Sequence, residues 1–320
     1  HRDSHHARTL LPLDPKIHNP YFAKRQKVTD PVRQIVYEPT VAGGKAAMKL
    51  TGIDESGSLP VDWVIGAGAN AHTYFSIVEP GVWMDLRISY YPDKGVWDFT
   101  PGQRPGNHVP VSPGKPQVGK RLTACLLCHV TALTEENGVP QVEKAFVGVG
   151  CERCHGPGKA HVDAVERGDM AAARAALENL RKATPQRITQ ICGYCHQDSR
   201  VAPPGVAHTE NDLPRFQGAA LERSACYVKS GKLSCVTCHD PHTDADHSPK
   251  NDEAVCRTCH TAPRTVCPVN PREKCVACHM PTQEIPGIPF ARFSNHWIKV
   301  WKNVQRSAPT AALPSEDGER

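Results

Sequence analysis

The chain has 320 residues and a formal charge of +5, with 29 prolines and 24 glycines but only 6% aromatic residues. That length allows one large domain or two small ones, and the shortage of large apolar side chains excludes an interior built from them alone. No apolar run approaches the roughly 20 residues of a membrane span, and no basic run interleaved with aromatics marks a nucleic-acid surface.

Residues 1 to about 30 are polar and irregular, and they bring His1, His5, His6 and His18. From about 32 to 99 the pattern turns strand-like. Gln34 to Tyr37, Trp63 to Gly66, His72 to Val78 and Val82 to Tyr91 are short runs rich in β-branched and aromatic residues, with turns at Glu79-Pro80-Gly81 and Pro92-Asp93-Lys94-Gly95. They predict a small antiparallel β element. Residues 100 to 119 are rich in Pro and Gly and read as a linker laid over the surface. Further on, Ala160 to Lys182 is the longest helical pattern, broken in two at Gly168-Asp169 with Asp169 as an N-cap. Residues 307 to 320 are Ala, Pro, Ser and charge, and read as a disordered tail.

Between Cys125 and His279 the pattern Cys-x-x-Cys-His occurs six times. The cysteine pairs are Cys125 and Cys128, Cys151 and Cys154, Cys192 and Cys195, Cys235 and Cys238, Cys256 and Cys259, and Cys275 and Cys278. The histidines that follow are His129, His155, His196, His239, His260 and His279. This is the attachment signature of c-type haem: two thiols one turn apart add to the vinyl groups, and the imidazole takes the proximal position on iron. With this composition chance would supply about 0.03 matches. Four-thiolate zinc sites would leave the six histidines unexplained, and a thioredoxin-like pair comes once per domain in a βαβ context missing here.

Six haems add about twelve propionate charges and, when ferric, about six positive ones, so the loaded chain lies near −1 oxidised and −7 reduced. Haems filling the interior would make loading a folding requirement. Attachment to this motif takes place outside the cytoplasm, so a periplasmic or extracellular location is expected, with any membrane link made through a partner or a segment outside this sequence.

The second axial ligand separates an electron carrier from an enzyme, because an iron with two protein ligands only exchanges electrons. Four methionines are too few to serve generally, whereas eleven histidines lie outside the motifs. In Cys238-His239-Asp240-Pro241-His242 the three-residue tether spans at most about 10 Å, so His242 cannot round its own ring and must serve a neighbouring haem. His161 follows the second motif through Gly156-Pro157-Gly158 in the same manner. The other distal candidates are His72, one of His5 or His6, His296 and His208, with His108 and His247 in reserve. Cys226 and Cys267 fall outside the motifs and are expected to form a disulfide, the alternatives being two thiols or a thiolate ligand.

Three stretches carry a family resemblance: Val149-Gly150-Cys151-Glu152-Arg153-Cys154-His155-Gly156-Pro157-Gly158, Cys235 to His242, and Cys275 to Pro281. They resemble the multihaem cytochromes c related to the tetrahaem ammonia-oxidiser cytochromes, pentahaem nitrite reductases and octahaem hydroxylamine oxidoreductases. Non-catalytic relatives, often fused to helical repeats, are the most similar. The likeness includes Ser4-His5-His6-Ala7 and Ala71 to Phe75. It implies short helices and loops around closely stacked haems with mostly His/His ligation. It also implies that Ser4-His5-His6-Ala7 follows an earlier motif and supplies a distal histidine, leaving either a seventh haem upstream of residue 1 or a member with six. It does not imply catalysis, since the nitrite reductases hold their active haem on a Lys-terminated motif and all six here end in His.

The expected organisation is therefore a segment 1–120 with the β element supplying distal ligands, a haem-binding domain 121–306 and the tail. The expected function is electron transfer along six haems, within a respiratory or photosynthetic assembly or an extracellular conduit. Redox proteins, further subunits or a homo-oligomeric filament are the expected partners. The alternative is an oxidoreductase acting on a small nitrogen or sulfur compound at one five-coordinate haem.

Overall fold

The structure, a computed structural model, describes residues 1–66, 70–200, 209–245, 249–261, 267, 269, 274–285 and 287–301. The expectations for His208, His247 and the tail from 307 fall outside the described residues.

The β part is larger than the small element expected. Strands β1 (Leu10–Pro12), β2 (Val28–Asp30), β3 (Ile35–Ala42), β4 (Lys45–Thr51), β5 (Ser56–Pro60), β6 (Trp63–Ile65), β7 (Thr73–Glu79), β8 (Val82–Leu86), β9 (Ile88–Tyr91), β10 (Val96–Phe99) and β11 (Gly114–Val118) run from the N-terminus to the first motif. They form a four-stranded sheet in the order β2-β3-β4-β5, a five-stranded sheet in the order β1-β6-β7-β8-β11 and the β9-β10 hairpin, with antiparallel pairing throughout. Lys45-Ala46-Ala47-Met48-Lys49-Leu50 has weak strand propensity, but Ala46, Met48 and Leu50 alternate inward and are buried, and that burial decides the conformation. The stretch expected to be a linker contains β11. Its Pro116 is tolerated because β11 lies at the sheet edge.

Alternation along the five-stranded sheet makes it the middle layer. Val64, Tyr74, Met84 and Leu86 join the core shared with Tyr37, Met48, Leu50 and Phe22, while Phe75 and Trp83 point the other way. Phe22 ends helix α1 (Pro15–Phe22), which starts with Asp14 accepting from the Lys16 amide and Pro15 in the first turn. On the opposite face Phe75, Trp83 and Leu10 pack against Leu122 and Leu126 of α2 (Gly119–Leu126), the helix that carries Cys125. The sheet thus docks the first motif directly.

The rest is short helices, α3 (Cys151–His155), α4 (Lys159–Glu166), α5 (Met170–Ala175), α6 (Pro185–His196), α7 (Gln217–Glu222), α8 (Ala225–Ser230), α9 (Pro249–Cys259) and α10 (Cys275–His279), with three small two-stranded sheets, Val130–Ala132 with Phe146–Val147, Glu135–Glu136 with Val139–Pro140 and Thr282–Glu284 with Arg292–Ser294. The break between α4 and α5 falls at Gly168-Asp169, and the Asp169 carboxylate caps α5 by accepting from the Ala172 amide. The apolar core of this part is small: Leu213, Ala219 and Ala220, with Phe216 and Trp297 against them.

Among the polar groups buried in the β part, an ion pair and a histidine bear on stability. Arg87 Nη2 donates to Asp30 Oδ2 at 2.6 Å, with the side chains 1% and 0% exposed. Asp30 also accepts from the Val32 and Arg33 amides. Removing one member leaves an uncompensated buried charge. Asp30→Ala is therefore expected to lower stability by about 3–5 kcal/mol, read as the shift in urea midpoint by circular dichroism; a shift within the noise would show that Arg87 finds another partner.

The second group is His72, whose ring lies 5.0 Å from that of buried His18 among Tyr21, Tyr74 and Tyr90. His18 Nδ1 hydrogen-bonds the Tyr74 hydroxyl at 3.2 Å, while His72 Nδ1 has no partner. Burial, and secondarily His18, pushes the His72 pKa down to about 4. The unfolded chain takes a proton near pH 6.5 that the folded chain refuses. Stability is thus complete above about pH 6.5 and falls toward pH 4, by on the order of 3 kcal/mol. Urea midpoints at pH 7 and pH 4.5 should differ less in His72→Phe than in the parent; an equal difference would place the proton uptake elsewhere.

Candidate metal centres

Every motif starts on a single helical turn, the geometry that puts its two thiols on one side. The first is at the end of α2, the second and sixth are α3 and α10, the third and fifth end α6 and α9, and the fourth begins with the 3-10 turn Cys235–Thr237. Apolar side chains within or beside these turns are exposed, among them Tyr194, Val236, Val162, Val165 and Val228. The turns lie close together. Cys128 stands beside Cys195, and Cys192 beside Cys235. Arg153, inside the second motif, donates to the Leu127 carbonyl of the first at 2.9 Å and lies 4.4 Å over the Tyr194 ring of the third.

Among the described residues no three His, Cys, Asp or Glu side chains gather around a common metal position, as a zinc site would need. The imidazoles come in pairs instead. His155 and His242 have ring centres 6.3 Å apart, His239 and His296 6.1 Å, and His6 and His196 6.2 Å. Two imidazoles on opposite faces of one iron, with a metal–nitrogen bond of about 2 Å and a ring radius of about 1.2 Å, have centres about 6.4 Å apart. Each pair joins a histidine that ends a motif to one that does not, so the donor set fits haem iron held from two sides. The 5.0 Å between His18 and His72 is too short for that arrangement.

An imidazole that binds iron through one nitrogen is oriented by what the other nitrogen donates to. Here the partners are acceptors. His129 Nδ1 donates to the Thr9 carbonyl at 3.2 Å, His279 Nδ1 to the Lys299 carbonyl at 3.0 Å and His296 Nδ1 to the Ser294 carbonyl at 3.0 Å. His161 Nδ1 donates to the Ala173 carbonyl at 2.8 Å and His242 Nδ1 to Asp240 Oδ1 at 2.9 Å. The His6 ring is bonded to the Pro241 carbonyl and the His196 ring to the Gln217 side chain. Burial lowers the pKa of His6, His129 and His196, and pushes His296 down to about 4 with the Ser294 carbonyl opposing. These rings are therefore held neutral, the form a metal requires.

The structure brings His242, His296 and His6 to motif histidines. Of the two adjacent N-terminal candidates, His5 faces Asp244, its Nδ1 3.2 Å from Oδ1. His1 lies 6.2 Å from His6, but its two nitrogens are engaged by the Val149 carbonyl and the Ser4 hydroxyl. His161 is oriented like a ligand without an imidazole facing it among the described residues, and His72 stands in the β core. Cys226, of the bridge expected with Cys267, lies half-buried on α8 with Cys259 nearby. The sequence reading missed His18 and the carbonyls behind each ring, and backbone acceptors leave no mark on a sequence.

A family model described as cytochrome c554 and c-prime matches residues 110–156, a stretch that holds the first two motifs. Polyheme cytochrome OmcB of Geobacter sulfurreducens is 26% identical over 145 residues, 37% of this chain and 20% of its own length. Cytochrome c-554 of Nitrosomonas europaea is 30% identical over 91 residues, 25% and 37% of the two chains. Multiheme cytochrome MtrA of Shewanella baltica is 25% identical over 185 residues, 45% and 54%. The chain thus spans from a fifth to about half of the length of these curated relatives, and no solved structure matches it. The first two motifs lie inside the matched stretch 110–156, and the chain is thus similar to the multihaem cytochromes c related to the ammonia-oxidiser cytochromes.

Proposed function

We propose that the chain passes electrons along a row of covalently held c-type haems, six by the motif count, most of them ligated by two histidines. The observation that carries this reading is the set of three imidazole pairs at 6.1–6.3 Å, each joining a motif histidine to a remote one. Haem supplies a one-electron change at iron that needs no bond to be made or broken.

The protein's part is to hold and insulate. The cysteine turns would fix each group by two thioether bonds, and the contacts of Arg153 with the Leu127 carbonyl and the Tyr194 ring tie the first three motifs together. His242, His296 and His6 would be the second protein ligands at the second, fourth and third sites, which would leave water and small substrates no open position there. Glu253, in the middle of α9, accepts from the Cys275 amide, so the fifth and sixth sites are also joined.

Residues 1–120 serve as a scaffold that delivers ligands and 121–306 as the haem-binding domain. Redox proteins or further subunits deliver and remove the electrons, in the periplasm or outside the cell. No helix among the described residues is long and apolar enough to cross a membrane.

The mass of the isolated chain should exceed that of the polypeptide by about 616 Da for every haem attached, and six increments are expected. A chain of native mass without these increments would end the reading. In the oxidised protein the irons of the second, third and fourth sites should be low-spin by electron paramagnetic resonance. His242→Ala and His296→Ala should each turn about one haem high-spin and able to bind cyanide. If neither does, the pairs are not ligand pairs, and strong high-spin signal in the parent would point to an open, substrate-binding iron.

A further inference from the structure

The loop after the fourth motif, Asp240 to Asp244, touches more of the ligand apparatus than its length suggests. It begins next to His239, which faces His296. Its own His242 faces His155, with the ring and amide of His242 both bonded to Asp240 Oδ1. Its Pro241 carbonyl accepts from the His6 ring, the ring that faces His196. Finally, Asp244 grips the N-terminal turn: Oδ1 accepts from the His5 amide and lies 3.2 Å from His5 Nδ1, and Oδ2 lies 3.9 Å from Arg8 Nη2.

His6 sits between these anchors on a 3-10 turn, His6–Arg8. On the other side its carbonyl accepts from the Val149 amide at 2.8 Å, just before the second motif. Gly148 has φ +71°, and a Cβ there would stand 2.2 Å from the Ala7 carbonyl oxygen, so the turn is seated against backbone on that side. Toward the fourth motif nothing so tight holds it, and Asp244 is the side chain that joins the turn to the loop there.

We propose that Asp244 is a positioning residue that latches the His5–Arg8 turn onto the 240–244 loop, so that His6 reaches the third site only while the same loop presents His242 to the second. The inference rests on the His/His reading above and adds that His6 is seated by a side chain of the loop that presents His242. An exposed carboxylate in this role has a particular signature. The Asp244 side chain is 38% exposed and lies outside the apolar cores, so its loss should leave the fold intact and change ligation alone.

The test uses the fully haem-loaded chain and reads spin state. Asp244→Ala is expected to convert about one haem per chain to high-spin, as His6→Ala does, with added imidazole restoring the low-spin spectrum and the circular dichroism of the β part unchanged. Asp244→Glu, which keeps the acceptor, is expected to stay low-spin. Should the alanine variant fail to accumulate loaded, Asp244→Ser removes the charge with a shorter side chain and is read in the same way. A low-spin Asp244→Ala beside a high-spin His6→Ala would overturn the latch and leave the ligand pairs standing. A low-spin His6→Ala would overturn the pairing of His6 with His196 itself, and the latch with it.

Discussion

An imidazole has two nitrogens, and the one that does not meet a metal must be held. Much of the architecture around the motifs supplies that hold. The Thr9, Pro241, Ala173, Ser294 and Lys299 carbonyls, the Asp240 carboxylate and the Gln217 side chain each engage one ring, and they come from six separate places in the chain. The β part belongs to the same arrangement. Strand β1 pairs with β6 through Leu10 and Ile65, and Leu10 is buried against α2. That pairing fixes the residues just before it, Thr9 behind His129 and His6 before His196. A sheet with no motif of its own thereby sets two rings in the part that has six.

The two parts are stabilised by different means. The β part has a core of Tyr37, Tyr74, Met48, Leu86, Trp97 and their neighbours and buries an ion pair beneath it, which is enough to fold as ordinary proteins do. Beyond residue 150 the buried apolar side chains are few and small, while Val162, Val165, Tyr194, Val228 and Val236 face outward. Such a chain depends on bound groups for its interior, as small metal domains depend on their metal. The β part is the portion expected to form without them.

The legibility of these features follows their physics. The motifs were plain because thioether chemistry fixes both spacing and residue type. His242 was readable because a three-residue tether cannot round a ring, and the break before Asp169 because a cap needs its carboxylate in one place. His6 could not be told from His5, since neighbours on a 3-10 turn differ only in the direction each side chain takes, and a remote partner, Asp244, sets that direction. Strands β4 and β11 were missed because tertiary pairing overrides the weak propensity of Lys, Ala and Pro. His72 has the composition and context of a ligand, and only its burial among tyrosines beside His18 separates it from one.

Cross-linking connects the ligand pairs to stability. The paired histidines are 87, 190 and 57 positions apart in the chain for His155 with His242, His6 with His196 and His239 with His296. Ligation of the proposed kind ties each iron to both partners, with the motif side also bound through two thioethers. Closing a loop of that size removes freedom from the unfolded chain worth about 4–5 kcal/mol in the chain-entropy model. Such closures act on the chain as cross-links in addition to the thioethers. They also explain why the N-terminal turn is anchored at a distance: a ligand 190 positions from its partner has the most freedom to lose, and the grip of Asp244 and the seat against Gly148 confine it before the ring is engaged.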